Sequence, residues 1–512
     1  MISTTGKVWE VPVDANDKCT EFKPFKMWGL IPYPNCGRRR VTNPHMRAFW
    51  GATLAFTLAF IGWFAFAPLL TVVRMDLGLC DNNDAVQLLP ESERIDACVC
   101  KKECKATIGN ANIAAVSFDV VTRFLLGSVI EKIGPVNTDV LLLSFGAIVI
   151  ACSTLISDGP GLITVRFFVS CLGSTFVVNQ FWSSILFSRS VVGTVNATGG
   201  GWGNLGGGIT QTLMPLVYRF WKQGVGLSIG AAWRASMFFP AVLYVFLAVW
   251  IYFCTQDTTV GKFDVMLLGK TQRAGPRDYL KCLMDYRVFL MMFQYSACFG
   301  CELVMNNVLA THFHDFFGVD LVSAGALAMA FGGMNLFARS LGGIASDWAN
   351  MRWNMTGRLW THFISLFGQA VFLFVFGCIS NDTGGWPVAL AVLCIFSIFV
   401  NMAEGTSYGI VPYMIPKDLA IVSAMVGAGG TLGAVIASWS FYKNVEDELL
   451  PFKLHAAYVL FWALTVFLMR WDHLGSMFGG PTTPELAPVE EAKVQEAVEK
   501  EEDGAAKKYV TV

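Results

Sequence analysis

Twelve long apolar runs, separated by short polar stretches, partition the chain: 48–73, 107–130, 137–157, 161–187, 191–219, 229–254, 288–312, 322–345, 356–380, 385–411, 420–442 and 453–471. A helix needs about 20 apolar residues to cross a bilayer. The pattern therefore predicts an all-α membrane protein of twelve transmembrane helices. Residues 1–46 are polar, and the first run is too long for the apolar core of a cleaved signal peptide. It is read as the first crossing.

Composition agrees with this pattern. The chain is 54% hydrophobic and 15% charged, with 41 Phe. A soluble domain carries about a quarter charged residues. The formal net charge is −1, so bulk electrostatics points to no class of partner.

Basic residues in short loops set orientation. Arg38, Arg39, Arg40 and Arg47 precede the first run, which predicts a cytoplasmic N-terminal segment over 1–47. The loop 74–106 holds Asp76, Asp81, Asp84, Glu91, Glu93 and Asp96 and is expected outside. The stretch 255–287 carries Lys262, Lys270, Arg273, Arg277, Lys281 and Arg287 and reads as a cytoplasmic linker. An even number of crossings returns the C-terminal segment, 472–512, to the cytoplasm. From Pro481 its Pro, Glu and Lys content predicts a solvated, disordered tail. The lipid bilayer is thus one partner, and the expected location is the plasma membrane.

Of 14 cysteines, Cys80, Cys98, Cys100 and Cys104 cluster in the outer loop. One or two disulfides are the natural reading outside the cell, with three connectivities open. Their spacing is not that of a zinc site. No metal or other cofactor is called. Asn381-Asp382-Thr383 is a glycosylation sequon in a predicted outer loop.

Two arginines interrupt the apolar pattern. Arg123 and Arg339 occupy corresponding runs, the second and the eighth, 216 positions apart. Each is followed eight residues later by a carboxylate, Glu131 and Asp347. A charge at membrane depth costs roughly 2.5–3.5 kcal/mol on insertion scales. The glycine-rich segments 200–207 and 427–434 fall on runs five and eleven, again six apart. An internal repeat of two six-helix halves, 48–254 and 288–471, accounts for both pairs, with a substrate site between the halves near the midplane.

The residues that could carry chemistry follow. A guanidinium offers a planar fork of donors to an oxyanion. Asp119 lies four residues before Arg123, so a structural ion pair competes with a binding role there. Arg339 has no acidic residue at i±4. Asn204 and Gln211 share a helix face and could donate amide hydrogens. Asp119, Glu302 and Glu404 are intramembrane carboxylates, candidates for proton exchange or for neutralising an arginine. Glycines in runs five and eleven serve close packing, with ligand contact as the second reading. Nothing resembles a nucleophile, metal or cofactor constellation, so the chain is not read as an enzyme.

The segment Val-Val-Gly-Thr-Val-Asn-Ala-Thr-Gly-Gly-Gly-Trp-Gly-Asn-Leu-Gly-Gly-Gly-Ile-Thr-Gln (191–211) resembles the signature of the nitrate/nitrite porter family of the major facilitator superfamily. Glu-Gly-Thr-Ser-Tyr-Gly-Ile-Val-Pro (404–412) and Val-Gly-Ala-Gly-Gly-Thr-Leu-Gly-Ala (426–434) resemble its second-half signature. The similarity runs over roughly 45–475 and is closest to eukaryotic high-affinity nitrate transporters. It implies the major facilitator fold and an anion clamped by Arg123 and Arg339. It further implies contacts from Asn204, Phe176, Tyr295, Phe299, Gly200 and Gly429. Thr431 departs from the family, which usually has asparagine there.

These readings predict a secondary active transporter that imports nitrate, and nitrite, by proton symport through alternating access, as part of nitrate assimilation. A nitrate/nitrite or other small-anion exchanger and a nitrate-sensing receptor are the alternatives. A small accessory membrane subunit is left open as a further partner. The two guanidiniums are expected to repel each other until the anion arrives between them.

Overall fold

The computed structural model describes residues 11–14, 16–24, 43–91, 93–188, 191–264, 275–415, 419–443 and 445–480. The tail 481–512, and Arg38, Arg39, Arg40, Lys270 and Arg273 of the orientation argument, lie outside the described residues. The helices, in order, are α1 (Pro44–Trp63), α2 (Leu70–Asp76), α3 (Asn83–Gln87), α4 (Arg94–Ala97), α5 (Glu103–Ala151), α6 (Gly159–Val169), α7 (Thr175–Leu186), α8 (Val192–Arg219), α9 (Ile229–Cys254), α10 (Pro276–Met284), α11 (Tyr286–Asp315), α12 (Leu321–Gly333), α13 (Ala338–Phe376), α14 (Gly385–Ile410), α15 (Leu419–Ala437) and α16 (Leu450–Leu464). A two-residue hairpin, β1 (Arg470–Trp471) and β2 (Gly475–Ser476), follows.

Local sequence sets several boundaries. The side chains of Asn43, Asp158, Ser228, Asp285 and Asp320 accept hydrogen bonds from first-turn backbone N–H groups of the helices they precede. Pro44 begins α1 where its missing N–H costs nothing. That start takes Arg47 into the helix, where it is buried. Arg287, read as part of the linker, sits in the first turn of α11 and pairs with Asp285 at 2.5 Å.

Two apparent single helices are pairs of crossings. In α5 the chain turns back at Gly134, whose φ of 81° suits a residue without Cβ, and Pro135 follows. Asp257, just past α9, holds this turn by accepting from Val136 N at 2.9 Å. In α13 the chain turns at Trp353–Asn354, with Asn354 at φ 52°. Among the described residues nine helical stretches are long and apolar enough to cross a membrane, and Leu321–Phe376 folds back at this second turn to cross twice. Segments 103–133 and Val192–Arg219 are just as long, but polar residues and glycine dilute them. They complete twelve crossings, and they carry Asp119, Arg123 and Asn204.

Large apolar side chains such as Phe246, Phe253, Phe374 and Phe461 remain exposed and form the lipid-facing exterior. The interior seam joins the six crossings before residue 255 to the six after 286. Along it α5 meets α15, and α8 meets α12. Glycine makes this close approach possible. A Cβ on Gly332 would lie 2.4 Å from Gly208 Cα, and one on Gly325 would lie 2.1 Å from the Gln211 carbonyl oxygen.

The end of the bundle bearing 77–102, here the loop face, is fastened across the seam. Arg74 binds Asp315 through two bonds of 2.6 and 2.9 Å, and Lys105 binds Glu448 at 3.0 Å. Arg166, buried at 1% exposure, donates to Asn112 and to Asn307 across the seam. It is a packing residue facing inward. Cys80 pairs with Cys98 and Cys100 with Cys104 in the same loop. Asn381 is on this face too, where its amide donates to the Phe316 carbonyl at 3.2 Å. The opposite end, the terminal face, is trimmed by chain ends. The β1–β2 hairpin caps it through Trp471 Nε1 donating to the Tyr413 carbonyl, and Cys19 forms an isolated parallel bridge with Phe187 just past α7.

Gly206 tests the seam within the first half, because a Cβ there would lie 2.1 Å from the Thr57 carbonyl oxygen. Gly206→Ala is expected to cost about 1–3 kcal/mol through overpacking. Gly343→Ala, which meets nothing within 4 Å, is expected to cost none of this. Thermal melting of the two purified variants in detergent checks the difference.

Candidate functional site

Both arginines are fully buried where the two halves meet, and neither is unpaired. Arg123 Nε donates to Asp119 Oδ2 at 2.6 Å, one helical turn back on α5. Its Nη2 donates to the Gly173 carbonyl at 3.1 Å, and its Nη1 reaches the Gly427 carbonyl of α15 at 3.5 Å. Asp119 also accepts from Ser174 Oγ at 3.0 Å and from Thr431 Oγ1 at 2.9 Å. Three donors from α5, the 170–174 turn and α15 thus satisfy one buried carboxylate, which is the condition for a buried ion pair to be tolerated.

Arg339 finds its carboxylate on another helix. Nη1 donates to Glu404 Oε2 of α14 at 2.6 Å, and Nη2 donates to Tyr295 Oη of α11 at 3.1 Å. Asn204 Nδ2 of α8 donates to Glu302 Oε2 at 2.9 Å and reaches Glu404 Oε2 at 3.4 Å. Asn335 Nδ2 donates to the other Glu302 oxygen at 2.7 Å. The Asn204 amide thus reaches both Glu302 and Glu404.

Aromatic rings connect the two arginines. The Phe176 ring lies 5.4 Å from Arg123 Cζ and 5.7 Å from Arg339 Cζ. Phe299 lies 5.1 Å from Arg123 Cζ and stacks on Phe176 and on Tyr295. Tyr408 stands edge-on to Phe176 and Tyr295, and its hydroxyl meets no partner among the described residues. Ring faces hold cations without competing for their N–H groups.

The sequence candidates are therefore largely gathered, with several differences. Arg123, Arg339, Asn204, Phe176, Tyr295, Phe299, Asp119, Glu302, Glu404 and Thr431 form one connected cluster. Gly200 borders it, since its Cβ would lie 3.5 Å from Arg339 Cζ. Gly429 packs against Met292 of α11 instead, and Gly427 is the glycine beside Arg123. Gln211 donates to the Asn306 carbonyl at 2.7 Å, away from both arginines. Asp347 pairs with Arg358 at 2.7 Å. Mutual repulsion of the guanidiniums is not the resting condition, because each is neutralised by its own carboxylate.

Three contributors escaped the sequence reading. Ser174 and the Gly173 carbonyl lie on a tightened 170–174 turn that interrupts the fourth crossing. Periodicity alone does not announce that turn. Asn335 was visible as a polar residue one turn before Arg339.

The comparisons with known proteins bear on this cluster. A family model described as "Major Facilitator Superfamily" matches residues 52–438. The "High affinity nitrate transporter 2.5" of Arabidopsis thaliana is 33% identical over 489 residues, covering 94% of this chain and 88% of that protein. The chain belongs to this transporter family. The "Nitrate transporter 2.2" of Chlamydomonas reinhardtii is 32% identical, over 86% of this chain and 83% of that one. A "Nitrate/nitrite transporter NrtP" of Picosynechococcus is 25% identical over 74% and 82%. Relatives with these names are transporters of the superfamily, and this chain is a transporter rather than an enzyme. Among solved structures, a D-xylose-proton symporter shares the fold, with a TM-score of 0.57 and 16% identity over 84% of this chain and 99% of that one.

Among the described residues Thr431 supplies the only hydroxyl that reaches Asp119 from α15. Thr431→Val is expected to lower stability by about 1–3 kcal/mol by removing a donor from a buried charge. Thr431→Ser is expected to restore it. Melting temperatures in detergent check both.

Proposed function

We propose that the chain imports nitrate, and nitrite, across the plasma membrane by proton symport through alternating access. Both chain ends then lie in the cytoplasm, and the loop face lies outside. The observation that carries this reading is the arrangement of two buried guanidiniums, one from each half, around the shared Phe176 ring. The names of these relatives, nitrate transporters and a nitrate/nitrite transporter, support the choice of anion.

Nitrate is planar, monovalent and weakly hydrated. It exchanges its water for charge-assisted hydrogen bonds from a flat fork of donors. To reach those donors it must displace a carboxylate already there. The Arg123 Nη1 donor is the most weakly held, at 3.5 Å from its acceptor, and offers the first contact. At Arg339 the anion competes with Glu404. A displaced carboxylate in a low-dielectric interior is costly unless it takes a proton. Glu404 and Glu302 both face the Asn204 amide, so a released Glu404 lies beside a second carboxyl group, and the pair is the natural proton acceptor. Nitrate and proton thus enter together, one on the guanidinium and one on the carboxylate it releases.

The membrane potential sets how many protons are needed. Moving one negative charge inward costs about 2.3 kcal/mol per 100 mV. One proton only cancels that charge, and a second lets the potential drive uptake. Asp119 at the other arginine is a second acceptor in this reading. Alternating access requires the cross-seam pairs Arg74–Asp315 and Lys105–Glu448 to open when the outer side opens.

A voltage-clamped cell expressing the chain is expected to pass an inward current on nitrate addition. The current should grow as external pH falls and should be untouched by phosphate. An electroneutral flux that requires internal nitrite and ignores pH would instead establish the exchanger. Binding without flux would establish the receptor. Arg339→Lys keeps the charge and loses the fork, and it is expected to raise the nitrate KM at least about tenfold. An unchanged KM would contradict the clamp.

A further inference from the structure

Charges at the loop face are divided unevenly between the two halves. Arg74 and Lys105 belong to the first half, and the carboxylates that neutralise them, Asp315 and Glu448, belong to the second. Both pairs border a cavity of about 120 Å³ on the seam. At about 30 Å³ per water molecule, it has room for a small hydrated ion.

A third cation of the first half stands behind this cavity. Arg166 of α6 is buried at 1% exposure and pairs with no carboxylate among the described residues. Its Nη1 donates to Asn112 Oδ1 at 2.6 Å and its Nη2 to Asn307 Oδ1 at 2.5 Å, while its Nε meets no partner among the described residues. Asn112 and Asn307 both line the cavity, so the guanidinium is one side chain removed from it on either side of the seam. Arg74, Arg123, Arg339 and Arg358, by contrast, each meet a carboxylate within 2.7 Å. Neutral amides hold a guanidinium in place but leave a buried charge uncompensated. Packing thus accounts for the position of Arg166 and not for its charge.

Parting the halves at this face changes the balance. Asp315 and Glu448 leave with the second half, and so does the Asn307 acceptor. Arg74, Lys105 and Arg166 stay on the first-half wall, with Asn112 still bound to Arg166. Two acids of that half keep cations of their own: Asp76 pairs with Arg234, and Glu91 with Lys222. Asp96 loses His314 in the same movement, but its side chain is 82% exposed and its charge is screened by solvent. A wall left with unmatched cations concentrates anions from solution.

We propose that this wall is a receiving site for a small monovalent oxyanion, nitrate in the import reading, with Arg166 as its principal donor. The inference rests on that reading and adds a first stop ahead of the central arginines. Arg166 lies seven residues before Gly173, whose carbonyl accepts from Arg123. Asn112 lies seven residues before Asp119, on the same face of α5. Along α5 that is two helical turns, roughly 10 Å. The two sites also differ in what an anion must displace. At Arg339 it competes with Glu404, whereas at Arg166 it replaces a neutral amide that the opening has withdrawn.

Asn112→Asp gives Arg166 the carboxylate it lacks, so it competes with the anion while improving the pairing of a buried charge. In voltage-clamped cells the external nitrate KM is expected to rise about tenfold, with no fall in the melting temperature of the purified variant. In giant inside-out patches, where nitrate is offered at the terminal face, the KM should stay within about twofold of wild type. Arg166→Gln is expected to show the same one-sided shift. Lys105→Gln, at a partly exposed lining position, should raise the external KM about twofold and serves if neither buried variant reaches the membrane. An unchanged external KM in these variants would overturn this inference alone. An equal shift at both faces, which a purely structural Arg166 requires, would overturn it too. A wild-type chain that passes no nitrate current would overturn the import reading and the receiving site together.

Discussion

A guanidinium taken out of water must be paired, and the rest of this molecule is arranged around that requirement. Arg339 and Glu404 meet at 2.6 Å with both groups buried, and Arg123 meets Asp119 at the same distance. Each pair would be a burden in a plain structural role, because desolvation offsets most of the attraction. Each becomes useful when the carboxylate can be traded for an anion. The aromatic rings keep water from the exchange, and the surrounding amides and hydroxyls determine which carboxylate can leave.

The two pairs are not equivalent. Asp119 is held by Arg123, Ser174 and Thr431 at once, so it is the more firmly fixed partner. Among the described residues Glu404 accepts from Arg339 at 2.6 Å and from Asn204 at 3.4 Å, and its Oε1 has no hydrogen-bond partner. Nitrate is therefore expected to release Glu404 more readily than Asp119. Because Arg123, Asp119 and Asn204 come from the first half, and Arg339, Glu302 and Glu404 from the second, the exchange also alters what holds the halves together. The glycine contacts between α8 and α12 let those halves approach closely enough for side chains to bridge them. The ion pairs at the loop face then keep that end closed.

Much of this was legible in the sequence. Twelve apolar runs and the six-helix offset between the arginines identify the fold class, because hydropathy period and repeat are properties of the chain itself. The resemblance to the porter signature pointed to the aromatics. Glu404 was among the carboxylates that could neutralise an arginine, but its pairing with Arg339 was not legible, since it lies 65 residues away and reaches it only through packing of α13 on α14. Gly429 was misplaced for a related reason: a helix shows all its faces in sequence, and only the fold reveals that Gly427 turns to Arg123 while Gly429 turns to Met292. The Ser174 contact depends on a local tightening of the fourth crossing that no hydrophobic pattern records.

The central claim is that the anion replaces a buried carboxylate, which then takes a proton. Proton exchange on nitrate binding to the purified protein tests it most directly, in a weakly buffered solution followed with a pH indicator. The account predicts that binding withdraws protons from solution and that nitrate affinity rises as pH falls. Binding that leaves the pH unchanged, with an affinity constant across pH, would contradict it.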